Sequence, residues 1–536
     1  VVSAGPATAE PPSTSAWAPL RGAAYRNLWL ALLGANIGTW MQVVGAQWLL
    51  IDERNASTLV ALVQTASMLP ILLLALPAGA LADAFDRRHL LIAVQVYLAA
   101  VGLLLTVLTA ADRMPPALLL TLTFAIGVGQ ALTLPCWAAI IPELVPRSQL
   151  QSASALGAIS VNAARSIGPA IAGLLIARAG VAPVFALNAV AVLIFGLAVF
   201  RWRTENARAV EVPERFTAAL RAGGRFVRHS PVVRRLLFRA LLFLVPGSAL
   251  WAQLPLVARR HLHMSSSGYG LLLAALGVGA IIGGLVLPWV RVHLTAGQFL
   301  LTAGLLYGAT LIVVPLVPSV PVVLIALVPA GLAWVTVLSN LNAEIQLYLP
   351  GWVRARGLAV YQVVFAGGQA LGALLWGVVG EIAGLVAAHL AAAGLMLLGA
   401  VTVRLWPLPD LRGSNQDPET YWPSLRLTHD PDPRIGPVVI IVTYVVPAER
   451  EVAFVDAMEV VRGSRQRTGA SRWGLYREGE SPDRFVEVYQ LPSWDEHLRQ
   501  HGGRLTSADR EAEQRAVAMA DGIPQVRHLL PTEAGS

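Results

Sequence analysis

The stretch Gly79-Ala80-Leu81-Ala82-Asp83-Ala84-Phe85-Asp86-Arg87-Arg88 joins two apolar runs, 59–82 and 89–110. Each run is about 20 residues long, enough to cross the hydrocarbon core of a bilayer. Two carboxylates and two guanidiniums crowd the turn between them, and charges of that kind belong at a water-facing membrane surface. Further runs of similar length lie on either side, at 28–50, 117–141, 153–177, 183–201, 236–258, 270–290, 298–316, 321–345, 357–380 and 384–405. Twelve spans are predicted. Pro70, Pro77, Pro135 and Pro169 fall inside or near the ends of these runs. Packed membrane helices tolerate such breaks because their neighbours satisfy the freed carbonyls.

Composition agrees with an all-α membrane protein. Of the 536 residues, 55% are hydrophobic and 13% charged, against about 25% charged in soluble domains. Mean hydropathy is +0.60. All 40 basic residues are arginine. A net charge of +8 would point to nucleic acid in a soluble protein, but its distribution argues otherwise. Residues 1–406 hold 25 Arg against 12 Asp and Glu, whereas 407–536 hold 15 against 20. A basic membrane part and an acidic tail read as orientation charge, so no nucleic-acid partner is expected. With a cytoplasmic amino terminus, eighteen arginines fall in inside loops, among them Arg21, Arg26, Arg147, Arg291, Arg354 and Arg356. Only Arg54, Arg113, Arg178, Arg259 and Arg260 fall outside. Both termini are then cytoplasmic, and the bilayer is a bacterial inner membrane. The lone Cys136 excludes an internal disulfide, a thiolate zinc cluster and a CxxC redox pair. Residues 1–19, rich in Ala, Pro, Ser and Thr, are expected to form a disordered leader without the apolar core of a signal peptide. Val1 in place of Met reads as a trimmed chain or a non-standard start.

The spans group as six and six: 20–201, a basic connector 202–235, then 236–406. In the connector, Phe216, Leu220 and Val227 fall near one helical face, with Arg221, Arg225 and Arg228 around it. That pattern predicts an interfacial amphipathic helix interrupted at Gly223–Gly224; a solvated basic linker is the alternative. A Pro/Asp-rich linker, 407–436, leads to a cytoplasmic α+β domain, 437–536. Its pattern is βαββαβ, the order of a ferredoxin-like fold. One sheet face is expected to stay open and to pair with a second copy, giving a homodimer.

The quoted turn resembles the loop signature of the major facilitator superfamily, G-x-L-a-D-r-x-G-r-R/K. Gly79, Leu81, Asp83, Arg87 and Arg88 match; Asp86 stands where the family has Gly, and Ala84 where it often has a basic residue. The resemblance implies that Asp83 caps a helix starting near Gly357 and locks an outward-open state, a charge–dipole interaction. Glu143 is the candidate partner for Arg87 or Arg88. The equivalent loop 289–298 retains only Arg291, so the internal repeat is degenerate in sequence. On the fifth span, Arg165-Ser166-Ile167-Gly168-Pro169-Ala170-Ile171-Ala172-Gly173 resembles the superfamily's antiporter motif. Gly168, Pro169 and Gly173 are its packing positions, and the motif favours export. The usual arginine of the fourth span is absent over 124–130, and Arg165 is the candidate substitute.

Ile141-Pro142-Glu143-Leu144-Val145-Pro146, Ala164 to Ala170, Phe185-Ala186-Leu187-Asn188-Ala189 and Arg354-Ala355-Arg356-Gly357 are similar to the enterobactin-exporter-like branch. The similarity covers most of 20–405. It implies proton-driven efflux of a small molecule, a siderophore or a hydrophobic drug, with no cofactor besides the proton gradient. The tail resembles those on some members of that branch, and its fold resembles antibiotic-biosynthesis monooxygenase domains.

Polar groups are costly in lipid and are expected to line the substrate and proton cavity. Asn36, Trp40 and Gln47 lie within about 40° on the first span. Asn162 and Arg165 are spaced i, i+3, Asn340 and Glu344 i, i+4, and Gln362 and Gln369 i, i+7; Gln253 adds another. Interhelical hydrogen bonding is the alternative use of the same side chains. Arg165 is expected to have an acidic or polar partner, Glu344 foremost, or to meet an anionic part of the cargo; an arginine that snorkels to the surface is the alternative. No catalytic residue is assigned. His497 and His501, with His528, have the residue types of a metal site. The simpler reading is a solvated helix face, and no metal is expected. The chain reads as an exporter; import on the same fold, or catalysis by the tail of a membrane-anchored enzyme, are the alternatives.

Overall fold

The computed structural model describes residues 17–202, 216–407 and 431–531. Among them, twelve helices are long and apolar enough to cross a membrane. They are α1 (Ala23–Leu49), α2 (Ala56–Ala84), α3 (Arg87–Ala110), α4 (Pro116–Leu144), α5 (Leu150–Ala179) and α6 (Ala182–Arg201), then α8 (Pro231–Leu256), α9 (Ser266–His293), α10 (Ala296–Leu316), α11 (Val320–Tyr348), α12 (Gly351–Ala383) and α13 (Leu385–Leu405). A shorter α7 (Phe216–His229) precedes α8. Helices outrun the apolar runs because hydrogen bonding continues past the last apolar side chain. Thus α8 begins at Pro231 and not near 236, and α12 begins at Gly351, leaving Gly357 inside the helix and not at its start. The leader falls outside the described residues except for its last part, and the linker lies outside them over 408–430.

The chain divides into two compact bodies. The first comprises Val1–Glu211, Leu242–Val337 and Phe365–Thr402. Small residues let its helices meet closely. A Cβ on Gly173 of α5 would lie 2.5 Å from the Ser266 carbonyl and 3.0 Å from Gly270 Cα, both on α9. Ala61, Ala252 and Ala373, all fully buried, join α2, α8 and α12. Ile51, Ala56 and Leu256 form a buried cluster at the end carrying the 50–55 and 257–265 turns. Arg259 and Asp52 pair there at 3.3 Å.

The second body comprises Val212–Leu241, Leu338–Val364 and Val403–Ser536. Its sheet holds β1 (Val438–Val445), β2 (Arg472–Arg477), β3 (Arg484–Leu491) and β4 (Gln525–Leu529) in the order β2-β3-β1-β4, every pair antiparallel. Helices α14 (Glu451–Thr468), α15 (Trp494–Arg499) and α16 (Ser507–Val517) complete the domain. Alternation along β1 puts Val438, Ile440, Val442 and Tyr444 in a core with Phe454, Met458 and Val461 of α14. The opposite face carries Val439, Ile441, Val486 and Val488, all partly exposed.

Three expectations are corrected here. The connector helix α7 runs unbroken through Gly223–Gly224. Over its second half it meets protein: Phe226 packs edge-on against Trp352 at 5.9 Å, and Gly223 admits the Arg356 stem, whose Cβ would lie 2.8 Å from an added Cβ; the side chains of Phe216 and Leu220 lie outside the described residues. It also packs against α14. Finally, His497 (1% exposed) and His501 (9%) are buried, so they form no solvated face.

A buried charge network ties the domain together. Glu487 of β3 is fully buried and accepts from Arg465 Nε (3.2 Å), Tyr444 Oη (3.0 Å) and Trp473 Nε1 (2.9 Å). Arg465 also pairs with Glu513 at 2.7 Å. Removing one member strands the others away from water. Glu487→Ala is expected to destabilise the domain by about 3–5 kcal/mol, read as faster amide exchange across β1 and β3 in the full chain. Acid acts in the same direction. Arg465 holds the Glu513 carboxyl below its usual range. Burial, with His501, His528 and Arg465 nearby, pushes His497 down to about 3. Both groups take up protons more readily unfolded, so their contribution is intact above pH ~6.5 and falls as pH drops. Protection factors in β1, which take out the pH dependence of intrinsic exchange, should fall between neutral pH and pH ~5, and less so in His497→Phe.

Candidate transport site

Arg165 lies midway along α5. One turn later, the missing side chain of Gly168 lets α1 approach: a Cβ there would lie 2.8 Å from Trp40 Cβ and 2.9 Å from the Ile37 carbonyl. That approach carries the Trp40 indole over the guanidinium, 5.3 Å from Cζ to ring centroid. Trp251 of α8 supplies a second ring at 5.9 Å. Each contact is worth about 0.5–1 kcal/mol where exposed and roughly 2 or more when desolvated. The acidic or polar partner expected for Arg165 is thus replaced by two aromatic faces. Its Nε is buried without a hydrogen-bond partner among the described residues. The site therefore offers π surface together with N–H donors.

Trp251 also begins an aromatic row. Its ring lies 5.5 Å from Trp334, which lies 6.0 Å from Tyr307 and 5.9 Å from Phe243. Tyr307 donates to the Gly247 carbonyl at 2.8 Å, which fixes its ring. Sequence reading missed Trp251, Trp334 and Tyr307, because an aromatic side chain facing lipid and one facing a cavity look alike in sequence.

Several predicted cavity residues are engaged between helices. Asn36 Nδ2 donates to Ser160 Oγ at 3.1 Å, joining α1 and α5. Gln47 accepts from Tyr269 Oη at 2.6 Å and donates to the Trp251 carbonyl at 3.5 Å. Gln253 donates to the Trp376 carbonyl and to Ser57. Gln64, which the sequence did not flag, donates to Gln369 at 3.4 Å. Asn162 is half-buried, and its carbonyl accepts from Ser166 Oγ at 3.1 Å. Pro169 is buried beside Gly270, where an added Cβ would lie 2.9 Å from the Pro169 carbonyl. Asn340 (buried), Glu344 (half-buried) and Gln362 (exposed) belong to the second body.

At the loop, Asp83 falls in the last turn of α2; the side-chain surroundings of Gly79 and Asp83 lie outside the described residues. Arg87 pairs with Glu143 at 3.5 Å. Arg88 donates to the Val199 and Phe200 carbonyls at the end of α6, where a cation meets the negative end of the helix. Asp86 caps α3, accepting the His89 N–H at 2.8 Å. That hydrogen bond holds its carboxyl below the usual range, and it gives the departure from glycine a structural use. At the equivalent place in the second half, Thr295 and Gln298 form a capping box at the start of α10.

The sequence profile described as "transmembrane secretion effector" matches residues 14–535. The chain belongs to this family of major facilitator superfamily transporters. It is 27% identical over 396 residues to the multidrug efflux pump Tap of Mycolicibacterium fortuitum, covering 71% of this chain and 95% of that one. It is 24% identical over 277 residues to the staphyloferrin A transporter of Staphylococcus aureus, covering 52% and 70%. The crystal structure of the D-xylose–proton symporter shares the fold, with a TM-score of 0.59 at 12% identity over 72% of this chain and 98% of that one. So does the inward-facing, unoccupied bacterial homologue of the lysosomal transporter Spinster, at 0.54 and 16%, over 72% and 95%.

If the Arg165 cage is the transport site, Arg165→Ala should abolish transport at matched protein levels. Arg165→Lys should recover only part of it, because an ammonium lacks the planar guanidinium that stacks on indole. Full transport by Arg165→Ala would remove the residue from the mechanism.

Proposed function

We propose that this transporter is a secondary active exporter of a bacterial cytoplasmic membrane. It moves a siderophore or hydrophobic drug-like molecule outward in exchange for protons, with both termini in the cytoplasm. The observation that carries the reading is the Arg165 guanidinium between Trp40 and Trp251. Flat aromatic faces suit an apolar or planar cargo, and N–H donors suit its oxygens. The relatives named as a multidrug efflux pump and a siderophore transporter support that cargo range. The antiporter-like Gly168, Pro169 and Gly173, and the similarity to the enterobactin-exporter-like branch, support the outward direction. Arginine bias supports the orientation. With it, the end that carries the buried cluster of Ile51, Ala56 and Leu256 is extracellular. Asp83, in this reading, steadies the outward-open state. The strand order β2-β3-β1-β4 within a βαββαβ chain supports a ferredoxin-like tail, and the partly exposed Val439, Ile441, Val486 and Val488 support its pairing into a homodimer.

The direction is open to a direct test. Everted membrane vesicles carrying the protein, acidified inside, should accumulate a hydrophobic, oxygen-bearing dye without positive charge and lose it when a protonophore is added. Accumulation by right-side-out vesicles under an inward proton gradient would instead support import.

A further inference from the structure

The C-terminal domain encloses a cavity of about 290 Å³ between the helix-covered face of its sheet and α16 with the segment that follows it. Tyr444 and Tyr489 line it from β1 and β3, and His497, His501 and His528 from α15, the turn after it and β4. Ile523, 94% exposed, stands at its rim. The His497 ring lies 4.9 Å from those of both His501 and His528, and Trp494 backs it at 5.0 Å. Among the described residues, no group of three or more His, Cys, Asp or Glu is placed to hold a metal ion.

The chemistry of the walls selects a ligand. Arg465 is already paired with Glu487 and Glu513, so an anion finds little unspent positive charge from it. Arg510 and Glu513 stand on the same walls, and with Glu487 behind Arg465 the four formal charges cancel, so no net charge draws either an anion or a cation. Burial keeps His497 and His528 neutral near pH 7, and a neutral imidazole offers one N–H and one lone pair. Flat rings and neutral donors and acceptors, in a volume near the lower end of ligand pockets (about 300 Å³), fit one or two fused rings bearing oxygen.

The wall is also mechanically connected. Glu496, next to His497 on α15, accepts from Arg504 at 2.8 and 3.0 Å and from Arg225 of α7 at 3.2 Å. The Arg504 guanidinium lies 4.9 Å from the ring of Trp352, in the first turn of α12, and the Arg504 carbonyl accepts from Trp352 Nε1 at 3.3 Å. Any shift of α15 is therefore passed to the start of a membrane helix.

We propose that this cavity binds a neutral, planar, oxygen-bearing aromatic molecule, and that Glu496, Arg504 and Trp352 relay its occupancy to α7 and α12. The tail is then a sensor attached to a transporter.

Hydrogen-exchange mass spectrometry on the full chain in nanodiscs, with 2-naphthol as probe, tests this. Saturating 2-naphthol should slow exchange at least about fivefold over 494–504, with a smaller slowing over 349–356. The anion 2-naphthoate should need about tenfold more for the same effect. Val526→Trp, which fills the cavity from an edge strand, and His497→Phe, which keeps the ring but removes its hydrogen bonds, should both lose the response. No slowing over 494–504, or slowing that both variants retain, would overturn the site. An equal response to 2-naphthoate would overturn the neutral ligand, a comparison that needs no variant. Slowing over 494–504 with none over 349–356 would overturn the relay.

Discussion

A guanidinium inside an apolar bundle costs at least about 2.5–3.5 kcal/mol on insertion scales, and the first body is arranged around meeting that cost at Arg165. The remedy is aromatic. Two indole faces, from α1 and α8, lie against the charge without neutralising it. Trp40 reaches it because Gly168 lets α1 come within backbone contact of α5. Gly173 does the same for α5 and α9 further along. An antiporter-like run of small residues thus doubles as the means of building a cationic, aromatic-walled centre.

Polar side chains near that centre divide into two uses. Gln47, Gln253 and Gln369 are buried and bonded to neighbouring helices. Such bonds are worth about 0.6 kcal/mol each on average, so their chief effect is to fix registers between helices. Arg165 differs because aromatic faces hold it without using up its donors.

The C-terminal domain handles buried charge differently. The Arg465 guanidinium stands between two carboxylates, Glu487 and Glu513, within hydrogen-bond distance, with Tyr444 and Trp473 completing the donors around Glu487. Beside this network, and next to Arg510, the cavity is walled by aromatic rings and by His497 and His528, which burial keeps neutral. Glu496, Arg504 and Arg225 form a second charged knot that faces α7.

Hydropathy alone determined the twelve spans, their grouping by six and the βαββαβ order of the tail. Those features follow from local pattern: about 20 apolar residues must cross lipid, and alternation in Val438–Val445 must present one face to a core. That Glu143 would meet Arg87 or Arg88 was also legible, since opposite charges at neighbouring helix ends have few other partners; the structure takes Arg87. What binds what inside the bundle was not. Arg165 calls for compensation, but sequence cannot say whether a carboxylate or an indole provides it, because both suit a cation and the choice depends on which helices touch. His497 and His501 read as a solvated pair because i, i+4 spacing sets only their common face. Tertiary packing decided that this face turns inward, and it decided that the connector helix lies on protein. An amphipathic stripe specifies that something must cover it; only the folded chain determines what does.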